Sequence, residues 1–230
     1  MNAEQQYLAK VTWEDPNSGD MYEFLLAEGA TAMIGRLDTC DISIREQHVS
    51  RQHAVINYRD GVFMITDLGS VNGVYVNDQR ITEPFPLAAG DTIRLYVPEL
   101  RFEAYNPEMD AYSGTSEHRT MITATSSTGR AHLLITNGPQ EGNVIPLLVA
   151  RITIGRATSK ADWEICLQDP SVSRPHARLE LIDGAWVLID LGSANGTFVN
   201  GTQVTEKGRA LRDGDVLTFG ATLGLFRMGG

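Results

Sequence analysis

Apolar residues along this chain fall in short runs and alternations, not in stripes of helical period. Segments such as 7–13, 54–58 and 62–65 have this character. Turn signals, among them Asp60-Gly61 and Ala89-Gly90-Asp91, separate such segments at intervals of roughly ten residues. Many short strands at that spacing predict an all-β fold built as a sandwich, because a parallel α/β sheet would need helical segments between its strands.

The second half of the chain repeats the first. Aligning residues 41–81 with residues 164–204 at a constant offset of 123 gives 16 identities in 41 positions, without a gap. A repeat of this length indicates one small domain used twice, and about 100 residues can bury a core of their own.

The segment between the repeats has a different composition. Residues 106–130 are poor in large apolar side chains and rich in serine and threonine, so they cannot bury enough apolar surface to order themselves. We therefore predict a first domain over 1–105, a flexible linker over 106–130 and a second domain over 131–230.

Charge and composition narrow the function classes. The formal net charge of −10 lies in the first half, because residues 1–112 carry 18 acidic and 8 basic side chains, whereas residues 113–230 carry 11 of each. No basic face for nucleic acid or anionic lipid is indicated. No apolar run approaches the roughly 20 residues of a membrane helix, and residues 1–6 lack the features of a signal peptide. We expect a cytoplasmic protein.

The two cysteines do not indicate a metal site or a disulfide. Cys40 and Cys166 fall one in each repeat, at positions that do not align. One cysteine per domain excludes an intradomain disulfide and supplies too few ligands for a metal cluster. We expect reduced, buried or half-buried thiols, with no metal or cofactor.

The identities between the repeats cluster in predicted loops, which drift in sequence unless they bind something or hold a special backbone shape. Two arginines and a serine that converge on one pocket make an anion site, since guanidinium and hydroxyl groups donate hydrogen bonds to a phosphate. An asparagine amide can donate to and accept from the main chain of an extended peptide. The repeated motifs are Gly35-Arg36 and Gly155-Arg156, Ser50-Arg51-Gln52-His53 and Ser173-Arg174-Pro175-His176, and the Asp-Leu-Gly-Ser-x-Asn-Gly of 67–73 and 190–196.

The order Gly-Arg, Ser-Arg-x-His, Asn-Gly on a β-sandwich resembles the forkhead-associated (FHA) domain, a reader of phosphorylated motifs. The resemblance covers about residues 5–105 and 131–229. It implies a non-enzymatic adaptor that binds phosphothreonine proteins downstream of a Ser/Thr kinase. The roles that it implies are phosphate contact by Arg36, Ser50, Arg156 and Ser173, assistance by Arg51 and Arg174, a grip on the peptide main chain by Asn72 and Asn195, loop bracing by His53 and His176, and structural glycines at Gly35, Gly73, Gly155 and Gly196.

The two repeats differ from each other and from the family pattern. The family often has a hydroxyl residue before the loop asparagine, and commonly a threonine after Asn-Gly. A long basic residue two positions before the key serine would help to choose the peptide sequence, so we expect the two domains to differ in preference. The residues at these three places are Val71 and Ala194, Val74 and Thr197, and His48 and Ser171.

Two other functions are open to the same residues. Ser50, His53 and Asp67 are the residue types of a hydrolase triad, but a serine and a histidine three positions apart at the junction of a loop and a strand cannot easily face each other. We therefore expect no enzymatic activity. The alternative is a scaffold that binds its partners through a sandwich face without any phosphate.

The linker is a candidate ligand of its own domains. Thr120, followed by Met121-Ile122, is our candidate phospho-acceptor, because an extended and partly apolar stretch could lie along a domain surface. About 25 flexible residues span on the order of 25–30 Å. We therefore expect that a phosphorylated linker could close the protein on itself or link two copies.

Overall fold

The computed structural model describes residues 6–107, 119–123, 131–159 and 161–228. The chain divides into two compact units, Met1–Thr125 and Ser126–Gly230. Each unit consists of two β-sheets packed around a core, which confirms the predicted all-β pair of sandwiches. Within the described residues, no helix is long and apolar enough to span a membrane.

In the first unit, a seven-stranded sheet of order β12-β2-β1-β11-β10-β7-β8 faces a five-stranded sheet of order β4-β3-β5-β6-β9. The strands are β1 (Tyr7–Glu14), β2 (Met21–Ala27), β3 (Thr31–Gly35), β4 (Ile42–Ser43), β5 (Ala54–Arg59), β6 (Val62–Asp67), β7 (Tyr75–Val76), β8 (Gln79–Arg80), β9 (Phe85–Leu87), β10 (Thr92–Arg94), β11 (Glu99–Ala104) and β12 (Arg119–Thr123).

In the second unit, a six-stranded sheet of order β14-β13-β23-β22-β19-β20 faces a five-stranded sheet of order β16-β15-β17-β18-β21. A short 3-10 turn at Gly138–Gln140 joins β13 to β14. The strands are β13 (His132–Ile135), β14 (Val144–Pro146), β15 (Arg151–Arg156), β16 (Ile165–Leu167), β17 (Ala177–Ile182), β18 (Ala185–Asp190), β19 (Thr197–Val199), β20 (Thr202–Gln203), β21 (Arg209–Ala210), β22 (Asp215–Phe219) and β23 (Thr222–Arg227).

Alternating apolar side chains from both sheets fill each core. In the first unit, Val11 and Trp13 of β1 and Ile56 of β5 are among the buried residues of one cluster. The second unit has an equivalent cluster that includes Leu133 and Leu179. Each large apolar side chain contributes about 1.5–3 kcal/mol on full burial, so the two cores fix the strands from which the loops emerge.

The predicted Asp-Gly hairpins are confirmed. Asp60-Gly61 joins β5 to β6 with φ of 48° and 91°, and Asp183-Gly184 joins β17 to β18 with φ of 48° and 82°. Positive φ at both central residues is what a two-residue turn of type I′ requires, and its twist suits antiparallel strands.

The segment predicted as a flexible linker, 106–130, contains a strand that the sequence analysis did not predict. Residues 119–123 form β12, which pairs in parallel with β2, from Arg119 opposite Met21 to Thr123 opposite Leu25. The physical reason is that β2 would otherwise leave a sheet edge with unpaired main-chain groups, and three of the five residues of β12 are β-branched. The other predicted linker residues at 108–118 and 124–130 lie outside the described residues.

Candidate functional site

The Gly-Arg motif of the first unit lies where β3 ends. A Cβ atom at Gly35 would lie 2.3 Å from the main-chain oxygen of Arg51, so the close approach of these two segments requires glycine. The main-chain N–H of Arg36 donates to the carbonyl oxygen of Ser50 at 3.0 Å, and its side-chain Nε donates to that of Val49 at 3.2 Å. These bonds hold an exposed guanidinium against the loop that carries Ser50.

The hydroxyl of Ser50 already accepts one hydrogen bond. Its Oγ accepts a hydrogen bond from the main-chain N–H of Val71 at 3.1 Å. A hydroxyl has one proton to donate and two lone pairs to accept with. Val71 occupies one lone pair, and the hydroxyl can still donate its proton. The exposed Arg51 follows Ser50 directly.

His53 braces two loops from inside. It is fully buried, its Nδ1 accepts the main-chain N–H of Ser50 at 3.0 Å, and its Nε2 lies 3.2 Å from the carbonyl oxygen of Gly73. Because Nδ1 accepts, Nε2 carries the proton and donates to Gly73. Burial lowers the pKa of His53, in keeping with a neutral ring.

Asn72 ties the same two loops together at the surface. Its Nδ2 donates to the carbonyl oxygen of His48 at 2.7 Å. The side-chain oxygen can still accept a hydrogen bond, and the second amide N–H can still donate one. Gly73, with φ of 78°, turns the chain into the buried Val74.

The second unit repeats these contacts with different residues, so both units bring together the residues that the repeat predicted. Burial again lowers the pKa of the bracing histidine, and the exposed Arg174 follows the serine as Arg51 does. The hydrogen bonds are Arg156 N to Ser173 O (2.9 Å), Arg156 Nη1 to Pro170 O (2.7 Å), Ala194 N to Ser173 Oγ (3.0 Å), Ser173 N to His176 Nδ1 (2.9 Å), His176 Nε2 to Gly196 O (3.2 Å) and Asn195 Nδ2 to Ser171 O (2.7 Å).

A threonine stabilises the asparagine loop in the second unit alone. The hydroxyl of Thr197 donates to Asp190 at 2.6 Å, and Ser193 donates to the same carboxylate through its hydroxyl, also at 2.6 Å. Burial raises the pKa of Asp190, but the hydrogen bonds to its carboxylate together lower the pKa by more. The pKa of Asp190 therefore lies below its ordinary value. In the first unit Val74 has no hydroxyl, although Asp67 still accepts the main-chain N–H of Ser70 at 2.7 Å.

The geometry is unsuited to serine hydrolysis. Both ring nitrogens of His53 face main-chain groups, at Ser50 and Gly73, so neither is placed as a base for the serine hydroxyl. In the described part of the chain, no cluster of three His, Cys, Asp or Glu side chains could hold a metal ion. Cys40 is buried beneath the loop, and burial raises the pKa of its thiol to about 12.

Sequence reasoning did not foresee that main-chain N–H groups bond to the key serine, and it missed the role of the aspartates. The side chains of Val71 and Ala194 carry no polar group, yet the N–H of each residue holds the key serine. Asp67 and Asp190 entered the sequence analysis only as a triad member and as part of a repeat, whereas they anchor the loop ahead of the asparagine. The signal was present, because both residues begin the longest identical motif of the repeat.

Comparisons with known proteins follow the same division into two units. The FHA domain model matches residues 32–96 and 152–220. The transcriptional regulatory protein EmbR of Mycobacterium tuberculosis is 41% identical over 76 residues, which are 33% of this chain and 20% of EmbR. The oxoglutarate dehydrogenase inhibitor of Corynebacterium glutamicum is 31% identical over 113 residues, 49% of this chain and 75% of the inhibitor.

A solved structure of EmbR from Mycobacterium tuberculosis in complex with a low-affinity phosphopeptide is also similar. It is 40% identical, covers 45% of this chain and 26% of its own, and has a TM-score of 0.37. The chain spans less than a third of the length of several curated relatives that it matches. The family model nevertheless matches more than half of the chain, in two separate segments. The chain belongs to the FHA domain family and carries two FHA domains in tandem.

Proposed function

We propose that the chain is a non-enzymatic adaptor that binds phosphothreonine proteins through both FHA domains, downstream of a Ser/Thr kinase and in the cytoplasm. The observation that carries the proposal is the paired geometry of serine and arginine. In each domain a main-chain N–H occupies a lone pair of the serine, and a main-chain carbonyl holds the arginine beside it. This arrangement leaves hydroxyl and guanidinium donors for one phosphate.

The neighbouring asparagines favour a peptide as the ligand. Asn72 and Asn195 are fixed by one amide N–H to the loop that carries the serine. Their remaining polar groups lie beside the phosphate site and suit an extended main chain. We assign the binding units to residues 1–105 and 131–230, with Arg51 and Arg174 as assisting cations.

Substituting the phosphate arginines tests the proposal. Arg36→Ala and Arg156→Ala should each weaken phosphothreonine-peptide binding at their own domain at least tenfold, because each lost charge-assisted bond contributes roughly 1.5–3 kcal/mol. Calorimetry on the full chain would measure this. Arg101→Ala and Arg151→Ala, which replace exposed arginines outside the loops, are the matched controls.

The same titrations separate the competing functions. If the double variant Arg36→Ala/Arg156→Ala keeps its partner with the fold intact, the protein is a phosphate-independent scaffold. Phosphoserine peptides should bind more weakly than phosphothreonine peptides, and equal binding would indicate a generic anion site.

We also propose Thr120 as a phospho-acceptor through which the protein regulates itself. Thr120 lies in β12, with its main chain opposite Tyr22 of β2. A kinase binds its substrate segment in extended form, so β12 has to leave the sheet edge before Thr120 is modified. The phosphorylated segment would then compete with outside partners for an FHA domain, at an effective concentration near the millimolar range.

A further inference from the structure

Two exposed aromatic rings lie beside the loop that carries Ser50 in the first domain. The rings of His48 and Tyr96 stack with centroids 4.4 Å apart and planes inclined by 29°. Tyr96 is 50% exposed, and the side chain of His48 is 42% exposed. We call this pair the aromatic shelf.

The shelf adjoins the groups that are proposed to bind the phosphopeptide. His48 stands two residues before Ser50, and its carbonyl oxygen accepts the amide of Asn72. A peptide that lies across Ser50 and Asn72 therefore passes within reach of the shelf.

The backbone of Tyr96 is unusual for its residue type. Tyr96 has φ of 85°, in the left-handed region that a bulky side chain rarely adopts. Strained residues of this kind concentrate at ligand sites. With this backbone conformation, Tyr96 lies in the turn between β10 and β11 and its ring stacks on His48.

The second domain cannot form such a shelf. Four residues separate the paired Arg94 and Glu99, and four separate the paired Thr218 and Leu223, so Gly220 stands where Tyr96 does. A Cβ atom at Gly220 would lie 2.3 Å from the hydroxyl oxygen of the adjacent Ser171.

Ser171 also differs from His48, with which it aligns, in what its side chain does. Its hydroxyl oxygen accepts the main-chain N–H of Ala221 at 2.8 Å and donates to Asp169 at 2.5 Å. At the position of the shelf, the second domain therefore has hydrogen bonds between its loops, whereas the first domain has two stacked rings.

Carboxylates lie close to the shelf. The carboxylate of Glu46 lies 2.9 Å from Nδ1 of His48, and the exposed Glu99 follows Tyr96 by three residues. Residues 1–112 carry a net charge of −10. Aromatic faces attract cations, most often the guanidinium of arginine, and Arg94 already lies 4.4 Å above the ring of Tyr75 in this domain.

We propose that the aromatic shelf binds an arginine or lysine side chain flanking the phosphothreonine in ligands of the first domain. The inference rests on the proposed phosphopeptide function. The rings would cover the aliphatic stem and the charged group of the basic residue, while the carboxylate of Glu46 offsets its charge. The shelf would then make the two domains choose different partners.

Binding of arginine-scanned peptides by the full chain tests the shelf. The titrations use an Arg156→Ala background, which should weaken binding at the second domain at least tenfold. The phosphothreonine peptides carry a single arginine at each flanking position in turn, in an otherwise alanine sequence. At one position or more, arginine should improve affinity about fivefold over alanine. Tyr96→Gly, which installs the residue of the second domain and relieves the positive φ, should reduce this ratio to about one, and His48→Ser should reduce it likewise.

The outcomes are distinguishable. The shelf proposal is overturned if no flanking arginine or lysine helps, if phenylalanine helps instead, or if the ratio survives both Tyr96→Gly and His48→Ser. The phosphopeptide function fails separately, if phosphorylated and unphosphorylated peptides bind alike or if Arg36→Ala leaves binding unchanged. The second domain, measured in an Arg36→Ala background, should give a ratio near one.

Discussion

The buried histidine of each domain holds two loops together and does not contact the ligand in the proposed arrangement. His53 links the main chain of Ser50 to that of Gly73, and both contacts require a neutral ring with its proton on Nε2. A buried donor or acceptor that loses its partner costs about 1–3 kcal/mol. Loop shape and fold stability therefore depend on the same imidazole.

Stability should accordingly depend on pH through the two histidines. Burial lowers the folded-state pKa of His53 below the ordinary 6.5, so between these values the unfolded chain binds more protons than the folded chain. The free energy of unfolding should fall as the pH decreases below about 6.5 and be flat in this respect above it. Domain-resolved hydrogen exchange at pH 7.5, 6.5 and 5.5 would show it, and His53→Gln should remove the dependence from the first domain. An equal slope in that variant would contradict the assignment.

Thr197 offers a second test at the same scale. Thr197→Val installs the residue that the first domain has at Val74 and removes the 2.6 Å hydrogen bond to Asp190. We expect a loss of roughly 1–2 kcal/mol in the unfolding free energy of the second domain, since the acceptor is charged. Urea unfolding measures it. Thr205→Val, which removes an exposed hydroxyl that accepts the main-chain N–H of Lys207, is a control for phosphopeptide affinity, which only Thr197→Val should weaken.

At the scale of elements, the spacing of apolar residues and the turn residues were sufficient to predict the two sandwiches, but not to predict β12. The hairpins at Asp60-Gly61 and Asp183-Gly184 carry their own signal, because few residues accept positive φ. Residues 119–123 have no turn signals, and their pairing depends on the unoccupied edge of β2, which a local pattern does not reveal. Nor does a local pattern reveal which group the main-chain N–H of Val71 or Ala194 contacts, since every residue type except proline supplies such a donor.

The edge position of β12 makes its release measurable. Ile122→Pro removes a main-chain donor within the strand, and proline in a strand disrupts its ladder, so β12 should leave the edge of β2. We expect faster hydrogen exchange at β2 and faster phosphorylation of Thr120 by a Ser/Thr kinase, with no change in the core strand β5. Ile122→Val, which keeps the donor, is the control. Unchanged kinase rates would show that β12 does not limit access to Thr120.

A separate measurement on the Thr120-phosphorylated chain tests whether the protein regulates itself. If NMR shifts at the arginine, serine and asparagine of both sites match those of the unmodified chain, and the mass stays monomeric, phosphorylated Thr120 does not regulate the protein.

At the scale of the whole molecule, the two sites share their geometry but not their electrostatic surroundings. The half that carries Arg36 has a net charge of −10, whereas the half that carries Arg156 is neutral. The acidic half repels a phosphopeptide, and physiological salt limits the range of this repulsion to about 8–10 Å. Thr197 adds a loop bond that Val74 cannot make. Both effects favour the second domain.

We therefore predict that the second domain binds a phosphothreonine peptide of neutral flanking sequence at least as tightly as the first, and that salt changes the difference. Raising the salt concentration screens the attraction of phosphate to arginine in both domains, but it also screens the repulsion in the first domain alone. The affinity of the second domain should fall between 50 and 500 mM salt (on the order of tenfold), while that of the first should fall less or rise. Titrations of the Arg36→Ala and Arg156→Ala chains with one peptide isolate the two sites. Parallel salt dependences would show that the acidic half does not act on the ligand, and the difference in affinity would then be due to the loops alone.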